Sequence, residues 1–355
     1  MDAITHMFVG ASVAQLPQQV KQSQSRVSLG WKSRALIGAL SAIFPDIDYL
    51  LFFWNPLEFV AYWHRAETHS LLLAPLWAWI LSKLLIRFYG WHHPPILLFQ
   101  ICLVGILSHT LIDSLTAFGT QWFAPLSDYR VNWDLLFVVD VYFTLMALIT
   151  LILIVVLRNK TYRVYSFILP LCYLLLVLLF KQQAYLQLPS PEKKEGKSSS
   201  SRVLIPQPFS PLYWHVIEPT EQGINQAYLK LANDVIAVNV SELLGVDVYQ
   251  NSYYLPPQLR WHMQSLKPKD IAMQRDVNLV WQHKKFSAFR DFAEYPVFYK
   301  YQKTSTKVCV WFSDLRYHWP NIIPSFRFGM CREKEHSWQL YRLKYFSDEQ
   351  VKLIN

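Results

Sequence analysis

The sequence predicts a mainly α-helical protein. A polytopic transmembrane bundle of about five to six helices is expected over residues 1–184, a flexible linker over 185–202 and a β-rich extracytoplasmic domain over 203–355. Three observations lead there. Hydrophobic residues make up 52% of the chain and charged ones only 17%, against about 25% charged in soluble proteins, and the apolar residues crowd into the first half. Within that half, polar clusters sit at the edges of apolar runs. The second half carries short aromatic and β-branched runs, such as Val308-Cys309-Val310-Trp311-Phe312, separated by turn formers, as antiparallel strands do.

The apolar segments run over 3–17, 35–54, 71–89, 95–112, 136–157 and 164–180, against about 20 residues needed to cross a bilayer. The last four are expected to span. Pro45, Asp46 and Asp48 interrupt the second segment, and the first is short enough to enter only halfway. The opening Met1-Asp2-Ala3-Ile4-Thr5-His6 is acidic where a cleaved leader needs positive charge, so the first helix is expected to stay in the mature protein. Between Gln187 and Arg202, prolines, mixed charge and the run Ser198 to Ser201 read as a tether. In the second half, Asp276 to Arg290 reads as one amphipathic helix across the strands.

The net charge of +9 comes without a basic run or a nucleic-acid motif, so no nucleic-acid partner is expected. Part of it orients the bundle. Lys21, Arg26, Lys32, Arg34, Lys83, Arg87, Arg158, Lys160 and Arg163 fall on one side of an alternating topology, leaving Arg65, Arg130 and Lys181 on the other. The first side is then cytoplasmic. Every acid of residues 1–184, and His6, His64, His69 and His109, falls toward the external face. Cys102 and Cys172 lie in apolar runs and read as core residues. Cys309 and Cys331 either pair, if their half lies in an oxidising compartment, or remain separate buried thiols.

Ionisable groups at membrane depth are costly and mark function. The densest group is His64-Arg65-Ala66-Glu67-Thr68-His69-Ser70. Asp2 and His6 are four apart, as are His109 and Asp113, which places each pair on one helix face. Asp46 and Asp48 point apart on a regular helix and could share a site only through a distortion, for which Pro45 offers a cause. Asp46 could otherwise cap a short helix, and Asp140 could cap the span it opens or complete a ligand set. Imidazole and carboxylate together are a ligand set for a hard or borderline divalent ion. The metal set read from the sequence is His6, Asp46, Asp48, His69, His109, Asp113 and Asp140. Thr68 and Ser70 are candidates for fixing an imidazole tautomer. The pair His92-His93 reads as an interfacial turn.

These motifs, in this order, resemble a family of bacterial inner-membrane proteins assigned as metal-dependent hydrolases, the YdjM-like family. The resemblance rests on Asp2/His6, Pro45 to Asp48, His64 to Ser70, Ser108 to Asp113 and Gly119 to Gln121, over about residues 1–145. Ala66 stands where members usually carry glycine, and Val141 where they often carry proline. A looser similarity links His6, Asp46, His69, His109 and Asp113 to the ligand order of helical zinc-dependent phospholipases C. The resemblance implies a multi-pass inner-membrane location and a divalent metal cofactor, zinc first and manganese as the alternative.

The function expected is metal-assisted hydrolysis of an ester, above all a phosphoester of a lipid or membrane-anchored substrate, with the bilayer itself as the other partner. Arg65 would neutralise a phosphate, and His64 or Glu67 would return a proton to the leaving group. Two other classes stay open. A transporter would place its ionisable groups at the midplane and often shows a repeat; a scaffold or receptor would carry a closed, structural metal site.

Overall fold

The computed structural model describes residues 1–16, 29–89, 95–157, 160–189, 202–234, 252–268, 270–333 and 336–353. Lys21, Arg26, His92, His93, Arg158 and most of the expected linker lie outside them. The chain forms two compact bodies. One is Met1–Tyr49 with Arg65–Leu179; the other is Leu50–His64 with Phe180–Asn355.

The first body is helical: α1 (Ala3–Val13), α2 (Trp31–Ile43), then, after the excursion of residues 50–64, α4 (Ala74–Tyr89), α5 (Pro95–Asp113), α6 (Val141–Val156), α7 (Lys160–Tyr165) and the start of α8 (Ile168–Gln187). A three-residue turn, α3 (Pro56–Glu58), lies in the excursion. Among the described residues, three stretches are long and apolar enough to cross a membrane: Trp31–Phe53, Pro95–Asp113 and Arg163–Gln187. A fourth arises if Pro56–His69 and Ala74–Arg87, bent by 72°, count as one broken span. The expected segment 136–157 yields a shorter helix. Its first residues turn back instead, with Leu135 and Leu136 donating backbone N–H groups to the Leu115 carbonyl. Asp140 then caps α6 by accepting from the Phe143 N–H at 2.8 Å.

Small residues let these helices approach closely. A Cβ on Gly10 would collide with the Gly38 carbonyl, and one on Gly105 would lie 2.7 Å from the Ser41 Cβ, so α1, α2 and α5 cross with their backbones almost in contact. Ile37, Ala74, Ala78, Leu98, Ile101, Cys102 and Ile106 fill the adjoining core. The last turns of α5 and the first of α1 are thereby fixed side by side.

Pro45 ends the α-helical pattern of α2, and residues Phe44–Phe53 continue as a 3₁₀ helix. The distortion the sequence suggested is therefore present, although it does not turn Asp46 and Asp48 to the same place.

The second body contains two antiparallel sheets, β1 (Val203–Pro206), β2 (Tyr213–Pro219), β3 (Ile224–Lys230) and β4 (His262–Gln264) in one, and β5 (Pro296–Lys303), β6 (Lys307–Asp314), β7 (Arg327–Glu333), β8 (Gln339–Leu343) and β9 (Gln350–Lys352) in the other. Both follow chain order, so each strand pairs with its sequence neighbour. The helix expected over Asp276 to Arg290 is two: α9 (Ile271–Gln282) and α10 (Ser287–Phe292). They part at His283, whose ring accepts the Lys285 N–H. Cys309 and Cys331 are direct cross-strand partners on β6 and β7 and form a disulfide; Cys102 and Cys172 are free. Residues 50–64 pack within this second body: Phe52 stacks on Tyr345 and lies under the Arg342 guanidinium, and the Tyr62 hydroxyl donates to Asp291.

Candidate metal centre

Asp46, His69, His109 and Asp113 bring one ligand atom each to within 4.8 Å of one another. Three lengths of chain deliver them. His109 and Asp113 occupy the final turn of α5, where the four-residue spacing stacks them on one face. Asp46 comes from the first turn of the 3₁₀ helix. His69 ends a single 3₁₀ turn, Glu67–His69. Its path is set by Arg65, which adopts φ 57°, a left-handed conformation uncommon in a residue with a side chain. Hydrogen bonds then hold the turn: Thr110 Oγ1 donates to the His69 carbonyl, Ser70 Oγ to the Ala124 and Trp122 carbonyls, and the Gln121 N–H to the Arg65 carbonyl. Gly119, at φ +72°, turns the chain so that this last bond can form.

The spacing suits an ion. His69 Nε2 lies 2.9 Å from His109 Nε2, 3.6 Å from Asp46 Oδ1 and 3.4 Å from Asp113 Oδ2. His109 Nε2 lies 3.6 Å and 3.2 Å from the same two oxygens. Bonds of about 2.1 Å in a tetrahedral site put ligand atoms about 3.4 Å apart. The protonation pattern points the same way. His109 Nδ1 faces the Ala42 carbonyl, which can only accept, so the proton sits on Nδ1 and the Nε2 lone pair is directed inward. There it meets two carboxylate oxygens and a second imidazole nitrogen, all able to accept. With His69 protonated on Nδ1 as well, the lone pairs that converge on one point suit a cation between them. Two neutral imidazoles and two carboxylates also balance a divalent charge, and the mixed nitrogen–oxygen set suits zinc or manganese.

A second layer holds these ligands. His6 Nε2 is 3.1 Å from Asp113 Oδ1, and its ring stacks on His109 at 3.7 Å; His6 therefore joins the cluster through Asp113 and the His109 ring. The Met1 amino group pairs with the same Asp113 oxygen. Arg65 Nε lies 2.9 Å from Asp113 Oδ2, while its Nη1 donates to Thr116 Oγ1 at 2.7 Å and its guanidinium covers the Phe118 ring. Arg65 is 4% exposed. The guanidinium expected to meet a substrate phosphate is instead buried against a site carboxylate. Thr68 Oγ1 sits 2.9 Å from His69 Nδ1, as the tautomer argument anticipated; Ser70 serves the backbone instead.

Other expected residues lie elsewhere. Asp48 Oδ2 accepts the Arg65 N–H at 3.0 Å and approaches His69 Nδ1 at 3.6 Å, on the outer side of that ring. Asp2 caps α1, accepting the Thr5 N–H and hydroxyl. Asp140 is a helix cap whose two oxygens both accept the Tyr173 hydroxyl at 2.9 Å, so it is not among the four gathered ligands. His64 belongs to the second body, buried with its ring 4.8 Å from Phe59. Glu67 is exposed, and its carbonyl accepts the Trp77 indole N–H. The sequence reading missed Met1, Thr116, Phe118 and the Ala42 carbonyl. Only spatial proximity reveals them, since no spacing rule links positions 42 and 109.

A family model described as YdjM inner membrane protein matches residues 1–184. The chain belongs to that family. All four clustered side chains of this YdjM-family protein lie inside the matched segment, and the two-sheet half lies beyond it. No curated protein and no solved structure matches the chain. It is a membrane protein with a side-chain cluster able to hold a metal ion.

Proposed function

We propose that the chain is a membrane-bound, metal-dependent hydrolase acting on an ester, foremost a phosphoester of a lipid or membrane-anchored substrate. The observation that carries this reading is the convergence of His109 Nε2, His69 Nε2 and the Asp46 and Asp113 oxygens on one point. A divalent ion held there would supply Lewis acidity toward a water and an ester oxygen. The chain's own residues do the rest. The Ala42 carbonyl fixes the His109 tautomer, and Arg65 orients Asp113. Asp46, its side chain 19% exposed while those of His69, His109 and Asp113 are 0% exposed, leaves one side of the cluster approachable. Glu67, exposed two residues before His69, is the candidate for returning a proton to a leaving group.

The test is metal content and its dependence on the ligands. Purified protein should hold zinc or manganese near one equivalent by elemental analysis, and His109→Ala should abolish it. A full complement of metal in that variant would remove the reading.

The site is proposed to open to the periplasm. The basic residues of the sequence favour that orientation, and a Cys309–Cys331 disulfide suits an oxidising compartment. In a background lacking Cys102 and Cys172, cysteines at Asp128 and Arg87 should differ in intact cells. An impermeant thiol reagent should label the first and spare the second; the opposite pattern would invert the topology.

One observation favours a scaffold with a structural ion: three of the four ligands are fully buried. Cobalt substitution separates the two readings. A visible spectrum that changes with added anion marks an open coordination position, and an unchanged one marks a closed, structural site.

A further inference from the structure

We infer that Tyr49 is a substrate-binding residue of this centre, its phenol donating a hydrogen bond to a phosphoryl oxygen presented at the metal. The inference rests on the hydrolase reading above. Its first support is helical geometry. Residues Phe44–Phe53 form a 3₁₀ helix, with three residues per turn, so side chains three apart eclipse one another. Tyr49 therefore follows Asp46 on the same face, one turn on, whereas Asp48 points to another.

The second support is access. Arg65 and the Met1 amino group cover Asp113, His6 and the Ala42 carbonyl cover His109, and the His69 side chain is 0% exposed. Asp46 is the member of the cluster with a partly exposed side chain, at 19%, and Tyr49, one 3₁₀ turn on, is 51% exposed.

The third support is what the site still needs. Arg65, the guanidinium in the cluster, is turned to Asp113 and Thr116. A divalent ion held there would take an oxyanion as a ligand, and a tetrahedral oxyanion at the metal has further acceptor oxygens to satisfy. A neutral phenol at the mouth can donate to one of them without altering the metal's charge balance.

The experiment uses the full chain, purified in detergent and loaded with zinc, with inorganic phosphate as the probe. Wild type should bind phosphate by calorimetry only when zinc is present. Tyr49→Phe, which removes the hydroxyl alone, should keep the zinc stoichiometry and weaken phosphate binding about ten- to a hundredfold, the scale of one hydrogen bond to a charged group. Equal phosphate affinity in Tyr49→Phe would overturn the inference and leave Tyr49 as an interfacial aromatic. Loss of zinc from that variant would overturn it as well, because Tyr49 would then act through the ligands. Zinc-loaded wild type that ignores phosphate would refute the anion site while leaving the metal centre standing. Wild type that binds no zinc would instead sink the hydrolase reading itself.

Discussion

Replacing Asp113 with Asn tests the centre and the fold at once. The carboxylate is fully buried and faces Arg65 on one oxygen and the Met1 amino group and His6 on the other. The Arg65 side chain is 5% exposed, so in the variant its charge has no water to turn to. Removing one member of a buried ion pair costs about 3–5 kcal/mol, and Asp113→Asn should lose stability on that scale in detergent. It should also lose most of its metal. The combined variant Arg65→Met, Asp113→Asn removes both charges, so it should recover most of the stability and none of the metal. Thermal unfolding followed by tryptophan fluorescence, with elemental analysis on the same samples, separates the two effects. If the combined variant is no more stable than the single one, the ion pair is not what Asp113 contributes. If Asp113→Asn retains full metal, the carboxylate is not a ligand.

Three further outcomes are expected. Denatured, unreduced protein should show two free thiols, Cys102 and Cys172, and two more after reduction; four before reduction would exclude the Cys309–Cys331 bond. Asp140→Ala should cost about 1 kcal/mol for the lost cap, plus the unpaired Tyr173 hydroxyl, and leave metal content unchanged; a metal-depleted variant would restore Asp140 to the ligand set. In the second body, burial and the nearby His318 hold His215 down to about 3, and burial holds His318 down to about 4. Both pKa values are lowered below the unfolded value near 6.5. The unfolded chain therefore takes up protons first as pH falls. Stability should be complete above about pH 6.5 and drop between there and pH 4 by on the order of 2–3 kcal/mol per pH unit. Denaturant unfolding at stepped pH reads this, and His215→Gln should flatten the slope; a profile that is level to pH 4 would contradict it.

The four clustered residues were legible because each stands where the sequence has no apolar reason for it. His109 and Asp113 share a helix face by spacing alone, and Asp46 follows a proline that had to disturb its helix. What spacing could not say was the sense of that disturbance. A 3₁₀ continuation sends Asp46 inward and Asp48 onto the Arg65 N–H, and it aligns Asp46 with Tyr49 rather than with its nearer acid. Arg65 was misjudged for a related reason. An arginine beside two histidines suggests a substrate contact, but its left-handed backbone folds the side chain back under Asp113. Asp140 illustrates the converse: a lone acid opening an apolar helix, which cap chemistry explains in full. In the second half, alternation of β-branched and aromatic residues showed strands, whereas their pairing partners depend on contacts that no local pattern encodes.

The excursion of residues 50–64 bears on how the chain can be divided. The family match ends at residue 184, and the expected linker follows it, so a cut at that point looks like a clean separation of two modules. It is not one. Phe52 and Tyr62 find their partners at Tyr345, Arg342 and Asp291, and the residues that lead into and out of this segment are Asp48 with Tyr49, and Arg65. A fragment ending at 184 would carry fifteen residues whose packing surface has been left behind, spliced between two edges of the metal centre. Exchange of the two-sheet half between relatives should therefore succeed only when residues 50–64 travel with it.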